Sequence, residues 1–147
     1  MGEDPPLFAF AMELYADESH RDGKRKDTLS NILEREEFVI NMVDGPILDR
    51  AILCGSDFPS HISEPEAVGF PLAASSNVSV PRIAEAPIAW ECKLFKQREL
   101  TVGRIIVFGE VIGTHFRDDL LDEEKLRGRV DRFEPYGRLR PQLSQNH

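Results

Sequence analysis

Cysteine, tryptophan and basic residues are all scarce in this chain. Among 147 residues there are two cysteines, one tryptophan, and 18 lysines and arginines against 26 aspartates and glutamates. Cys54 and Cys92 cannot build a disulfide framework, and neither has a Cys or His neighbour at metal-ligand spacing. The histidines, His20, His61, His115 and His147, show no H-x-x-x-H or similar pattern, so no metal site is expected. A formal net charge of -8 argues against a nucleic-acid partner, because binding a phosphate backbone needs a basic surface. No apolar run approaches the roughly 20 residues of a spanning helix, so no membrane partner is expected either. The opening MGEDPP is acidic and has neither the basic region nor the apolar stretch of a signal peptide. The expectation is a reduced, cytoplasmic compartment. Asn77-Val78-Ser79 matches a glycosylation sequon, which without a secretory signal is read as chance. Ser56 lies in no G-x-S-x-G elbow, and no glycine-rich nucleotide loop is present.

What remains is an acidic globular chain, 41% hydrophobic and 30% charged, of a length that suits one domain. Leu7–Leu14 is apolar almost throughout and reads as a buried strand. Residues 16–26 are densely charged and read as a solvated loop. Leu29, Ile32 and Leu33 then make the i, i+3, i+4 stripe of an amphipathic helix over Asp27–Glu36, with Asp27 as N-cap. Glu37–Val43 has strand composition. Pro46–Cys54 reads as a short helix with Ile47, Ala51, Leu48 and Ile52 inward. Ser63 and Glu66 fit a capping box closed by Gly69. Pro71–Pro87 reads as loop, with one short strand at Asn77–Val80.

The strongest β signal follows. Ile88, Trp90, Cys92 and Leu94 alternate with Ala89, Glu91, Lys93 and Phe95, so the two sets face opposite sides of a strand. Arg104–His115 is a second long strand, and Lys96–Gly103 is read as the hairpin loop between them. Gly109 and Gly113 mark a bulge or a close backbone approach. Asp118–Val130 reads as a charged helix carrying Leu120, Leu121 and Leu126, and residues 132–147 as a fraying tail. Long antiparallel strands with short helices between them predict a mainly β (α+β) fold, a small barrel with peripheral helices. Glu91 and Glu110, on neighbouring strands, are read as solvated or matched by Lys93. His115 is read as a strand-end surface residue, Cys92 as inert core, and Trp90 as core or dimer interface.

Arg25-Lys26-Asp27-Thr28-Leu29-Ser30-Asn31-Ile32 places two cations and a hydroxyl at a helix start. Free N–H groups and the helix dipole there favour an anion. A capped helix preceded by solvated charges is the bland alternative. This stretch, followed by EFVINMV, resembles the flavin reductase-like, FMN-binding split β-barrel family. The likeness continues through Ser56-Asp57-Phe58-Pro59, Glu66-Ala67-Val68-Gly69-Phe70 and Pro81-Arg82-Ile83-Ala84-Glu85-Ala86-Pro87. It runs on through Trp90-Glu91-Cys92-Lys93-Leu94, Gly109-Glu110-Val111, His115 and Tyr136-Gly137-Arg138-Leu139.

The resemblance implies an antiparallel split barrel over residues 1–140 with a tail at 141–147, usually a homodimer. It implies FMN near the subunit interface, its phosphate beside Lys26, Asp27, Thr28 and Asn31, with Arg25 as an extra candidate. Lys26 would neutralise phosphate charge, Thr28 and helix N–H groups would orient it, and Asp27 would hold the turn. His115, placed near a flavin, would help bind or protonate a reduced substrate. The implied activity is hydride or electron transfer from NAD(P)H through the flavin, with no catalytic side chain assigned because the reactive atom belongs to the cofactor. Members usually carry two further strands ahead of the position of Leu7, with an Asn-x-x-Pro-Phe-Ser-x-Phe-like segment that flanks the flavin ring. This sequence has no such segment, and Arg140-Pro141 replaces the usual Gly-Gly. The alternative expectation is therefore a non-catalytic, N-terminally short remnant that acts as a dimerisation or protein-interaction module.

Overall fold

Two long stretches of β composition become the hairpin at the centre of an antiparallel sheet. The computed structural model describes residues 4–14, 27–54, 63–122, 127–128 and 133–136. In chain order the elements are β1 (Leu7–Glu13), α1 (Asp27–Arg35), β2 (Glu37–Asn41), a 3-10 turn at Gly45–Ile47 and α2 (Leu48–Cys54). Then come α3 (Glu64–Ala67), β3 (Leu72–Ala73), β4 (Arg82–Ile83), β5 (Ile88–Thr101) and β6 (Arg104–Phe116). A 3-10 turn at Asp118–Leu120 leads to β7 (Leu121–Asp122) and β8 (Arg127–Gly128). The main sheet has the order β1-β6-β5-β2, antiparallel throughout, and β3-β4 and β7-β8 are two-stranded ribbons.

The core lies on one face of this sheet. Helix α1 turns Leu29 and Ile32 onto Phe38 of β2, Cys92 of β5, and Ile105 and Val107 of β6, with Leu14 alongside. Phe10, Met12, Trp90 and Val111 pack around that cluster. The expected stripe of α1 and the expected alternation of β5 are both present. Each fully buried aliphatic or aromatic side chain here stabilises the fold by roughly 1.5–3 kcal/mol. Cys92 is fully buried, and burial pushes its thiol up to about 11, so it is an inert core residue.

Two glycines are required by close approach. A Cβ on Gly109 would overlap the Phe38 ring and stand 3.2 Å from Cys92 Cβ. A Cβ on Gly113 would stand 2.9 Å from Asn77 Nδ2 and 3.2 Å from Glu91 Oε2. Between the pairs Glu91↔Gly113 and Cys92↔Val111, β6 carries one extra residue, Ile112, which makes the bulge.

Several expectations need correction. Among the described residues the first strand lies at the edge of the sheet and is not a buried one. Phe8, Phe10 and Met12 are half-buried, while Leu7, Ala9 and Ala11 are exposed. The alanines on the outer side hide the two-residue period. Lys96–Gly103 is not a loop, because β5 stays paired with β6 until Thr101↔Arg104 and only Val102 and Gly103 turn. Ile47 is buried as expected, but Ile52 is 55% exposed. Ser63 precedes α3 without a side-chain capping bond. Asn77–Val80 is a run of bends between β3 and β4, not a strand.

Residues 118–122 and 127–128 form a turn and a ribbon instead of a helix. Arg117 explains part of this. Its guanidinium bonds Asp119 at 2.6 Å and Asp44 at 2.8 Å, which ties the chain down as Leu120 plugs into the core. Nor does the whole tail lie free, since the Tyr136 N–H donates to the Val43 carbonyl at 2.9 Å.

Candidate functional site

The residues expected to hold an anion lie at the first turn of α1. Burial of Leu29 and Ile32 fixes the helix rotation, which leaves Asp27, Thr28 and Asn31 exposed. Thr28 and Asn31, three residues apart, stand on the same side of the helix. Neither has a side-chain partner among the described residues. Asp27 is the first helical residue, one position inside the cap expected for it. Arg25 and Lys26 lie outside the described residues, as do Ser56, His20, His61 and His147.

The surroundings of that turn are acidic. Burial, then the charge of Asp27, pushes the Glu64 carboxyl above its ordinary range. Burial, then Glu64, pushes the Cys54 thiol up in turn. The end of α2 and the start of α3 therefore gather at the start of α1. A phosphate there would meet a hydroxyl, an amide and free helix N–H groups, but two carboxylates as well. Cations from the preceding residues are what would make the charge favourable.

The opposite face of the sheet holds the group that the sequence reading missed. Glu37 and Asn41 of β2 and Glu91 of β5 share this face and are covered by an irregular strap over residues 74–83. Each of these side chains accepts hydrogen bonds from strap backbone. Glu91 takes the N–H groups of Ser76 at 3.1 Å, Asn77 at 2.6 Å and Val78 at 3.2 Å. Glu37 takes the Ser79 N–H at 2.9 Å and its hydroxyl at 2.8 Å. Asn41 Oδ1 takes the Ile83 N–H at 3.0 Å. Three side chains thus supply acceptors that a neighbouring strand would otherwise provide.

Glu91 is not solvated, as its alternation had suggested, but 0% exposed. Nor does it pair with Glu110 or Lys93. Glu110 stands across from Lys93, and Glu91 stands across from Gly113. His115 Nε2 and Glu91 Oε2 are paired instead, which takes His115 out of the class of plain surface histidines. Burial alone would raise the Glu91 carboxyl. The Asn77 N–H, His115 and the Ser76 N–H overcome it and hold the group down at about 2.

A lowered carboxyl contributes stability that is present above its unfolded value, near 4.5, and lost as pH falls toward the folded one. Thermal unfolding of the wild type is therefore expected to show a melting temperature that drops between pH 4.5 and pH 2. In Glu91→Gln that segment of the pH dependence should flatten. An unchanged pH dependence in the folded variant would show that Glu91 is not the group responsible.

Other anchors hold the strap's far end. Arg50 pairs with Glu85, donates to the Gly69 carbonyl at 3.3 Å and lies 4.6 Å over the Phe70 ring. Among the described residues no group of three metal-ligating side chains occurs, and no helix is long and apolar enough to cross a membrane.

Comparison with known proteins fits this architecture. A family model described as the flavin reductase like domain matches residues 1–134. A solved 2-nitrobenzoate 2-nitroreductase from Pseudomonas fluorescens is 56% identical. Its TM-score is 0.79, and the match covers 97% of this chain and 66% of that one. Component B of nitrilotriacetate monooxygenase from Bacillus cereus is 26% identical. Its TM-score is 0.76, with 89% of this chain and 63% of that one covered. A Shewanella frigidimarina protein with a split barrel domain is 23% identical. Its TM-score is 0.67, with 84% of this chain and 58% of that one covered. The antiparallel sheet with few short helices is the split-barrel fold of these neighbours. The chain spans about two thirds or less of the length of each.

Proposed function

Because this chain belongs to the flavin reductase-like family, we propose that it is a flavin-dependent oxidoreductase that binds FMN. Electrons would pass from NAD(P)H through the flavin to an acceptor. The observation that carries this reading is the 56% identity with a nitroreductase over 97% of the chain. A nitroaromatic carboxylate is accordingly the first acceptor to test. The unit is read as one domain over residues 1–140 with a tail at 141–147. It is further read as a cytoplasmic homodimer.

The donor set at α1 suits the phosphate end of FMN. Thr28 and Asn31 offer a hydroxyl and an amide on the exposed side of a helix start, with no competing side-chain partner among the described residues. Lys26, with Arg25, would supply the charge that Asp27 and Glu64 oppose. Asp27 would hold the turn. When bound, the flavin supplies the hydride and electron chemistry, and the protein supplies binding, orientation and exclusion of water.

The test is a visible spectrum of the purified protein and an FMN titration read by flavin fluorescence. Saturable quenching at micromolar FMN is expected, with NADH and NADPH oxidation following. The double variant Lys26→Ala/Thr28→Ala should weaken FMN binding by roughly 10- to 100-fold while the fold persists, as loss of a charge-assisted contact and a hydroxyl contact requires. Equal affinity in the folded double variant would remove the phosphate assignment. No quenching by the folded wild type would leave the non-catalytic interaction module as the reading.

A further inference from the structure

Among the described residues, the strap covers only one half of the sheet face opposite α1. Its side-chain anchors there are Glu37, Asn41 and Glu91. Toward the β5–β6 turn, the same face continues through Phe108 and Ile106 of β6. In register these lie between Ala9 and Ala11 of β1 and Lys96 and Arg98 of β5. Ile105, Val107 and Gly109 alternate with them and are buried, so these six side chains point away from the core. Ala9, Ala11, Lys96 and Arg98 are exposed, and Phe108 and Ile106 are half-buried.

Charge divides this half unevenly. Lys93 stands across from Glu37 on one side and Glu110 on the other, and Arg104 stands across from Glu13. Lys96 and Arg98 stand across from Phe108 and Ile106 instead, with no carboxylate in register. Arg98 donates to the Gln97 carbonyl beside it at 2.8 Å. Two cations thus edge an apolar floor, on a chain whose formal net charge is -8. An exposed apolar patch with charge of one sign along its rim suits a partner that carries the other sign.

Spacing narrows the partner further. Neighbouring strands stand about 4.8 Å apart, so the floor on β1 and β6 and the cations on β5 span about 10 Å, the width of one α-helix. Lys96 and Arg98 are two residues apart, which is about 6.6 Å along a strand. Carboxylates at i and i+4 of a helix are about 6 Å apart along its axis. The small alanines leave the floor flat enough for a helix to lie on it. Strand addition is disfavoured at the edge of β5, where Phe95 and Leu100 are the extra residues of two bulges and Lys96 stands between them.

We propose that this face docks an acidic amphipathic helix of another protein. Its apolar stripe lies on Phe108, Ile106, Ala9 and Ala11, and its row of glutamates lies over Lys96 and Arg98. The contact is transient, because exposed ion pairs steer and orient a partner more than they hold it. The proposal is independent of the flavin-dependent reading, since α1 packs on the other face of the sheet.

The probe is a synthetic helical peptide with leucines at i, i+3, i+4 and i+7 and a flanking row of glutamates. It carries a fluorescent label and is titrated with the full chain. Saturable anisotropy at micromolar protein is expected in low salt, and the affinity should fall about tenfold as salt rises to about 0.15 M. Lys96→Glu/Arg98→Glu should weaken binding by roughly 30-fold, because like charges then face each other. Ala9→Glu/Ala11→Glu should abolish it by placing charge on the apolar floor. All four positions are exposed, so both double variants should fold. Where one does not, the other carries the test. Four results overturn the proposal. The folded wild type binds no peptide. The folded variants bind it as tightly as the wild type does. A control peptide with serines in place of the leucines binds equally well, which reduces the contact to charge alone. Or Ala9→Glu/Ala11→Glu turns a wild-type dimer into a monomer in size-exclusion light scattering, which gives the face to a second copy. The FMN titration of the same variants reads the flavin site separately.

Discussion

Glu91→Ala is expected to destabilise the protein by about 3–5 kcal/mol, the range for removing one partner of a buried charged network. The substitution leaves the N–H groups of Ser76, Asn77 and Val78 without their acceptor beneath the strap. It also frees His115 and opens a cavity where the side chain was fully buried. Each orphaned buried donor costs about 1–3 kcal/mol unless water reaches it. A domain of this size is typically stable by about 5–15 kcal/mol, so the loss is a large part of the whole. Glu37→Ala is the matched control. It also removes a strap acceptor, from Ser79, but at an exposed position on the same face, where water replaces it. Urea denaturation of both variants separates the cases. A Glu91→Ala protein within about 1 kcal/mol of wild type, the range of an ordinary surface change, would mean that the strap is held by something else.

Gly109→Ala is expected to cost about 3 kcal/mol, the upper end of ordinary overpacking. The added methyl would occupy the position of the Phe38 ring. That ring has little freedom to move. Phe38 is 5% exposed and meets the Phe10 ring edge-on, with centroids 5.7 Å apart. Cys92 closes the site from the next strand. The mechanism makes a further demand. In a Phe38→Leu background the obstructing ring is gone, so Gly109→Ala should cost at least 1 kcal/mol less, as expected of coupled neighbours. Thermal or urea unfolding of the four proteins closes the cycle. Strict additivity would place the damage in the backbone and not in the contact.

These two residues also show what a sequence can and cannot reveal. Gly109 sits inside an apolar strand where a β-branched residue is the norm, so its role as a close approach was readable. The stripe of α1 and the Cys92 side of β5 were readable for the same reason, because regular elements repeat their burial. Glu91 was not readable. Its alternation correctly placed it opposite Cys92, but nothing periodic marked that second face as covered. The cover is the strap over residues 74–83, which has no repeat of its own. A weak signal existed, in that a Ser- and Asn-rich run between prolines carries N–H groups that must find acceptors. The leucines of residues 118–126 misled in the other direction, since Arg117 and its aspartates pin the chain into a turn. At the candidate phosphate site, the exposure of Thr28 and Asn31 followed from the α1 stripe. The cations Arg25 and Lys26 precede the described helix, so their placement does not follow from it.

The order of the sheet has a consequence for how the chain is made. β5 and β6 are neighbours in sequence, joined by a two-residue turn at Val102 and Gly103, and such local contacts form early. β1 pairs with β6 through Leu7↔Glu110, about 100 residues later in the chain. At a synthesis rate of roughly 5–20 residues per second, β1 waits about 5–20 s for its partner. β2 waits about half as long, since Asn41 pairs with Ala89. Through that interval Phe8, Phe10 and Met12 lack the strand that pairs with theirs, so an apolar segment made well before β6 waits for its shelter.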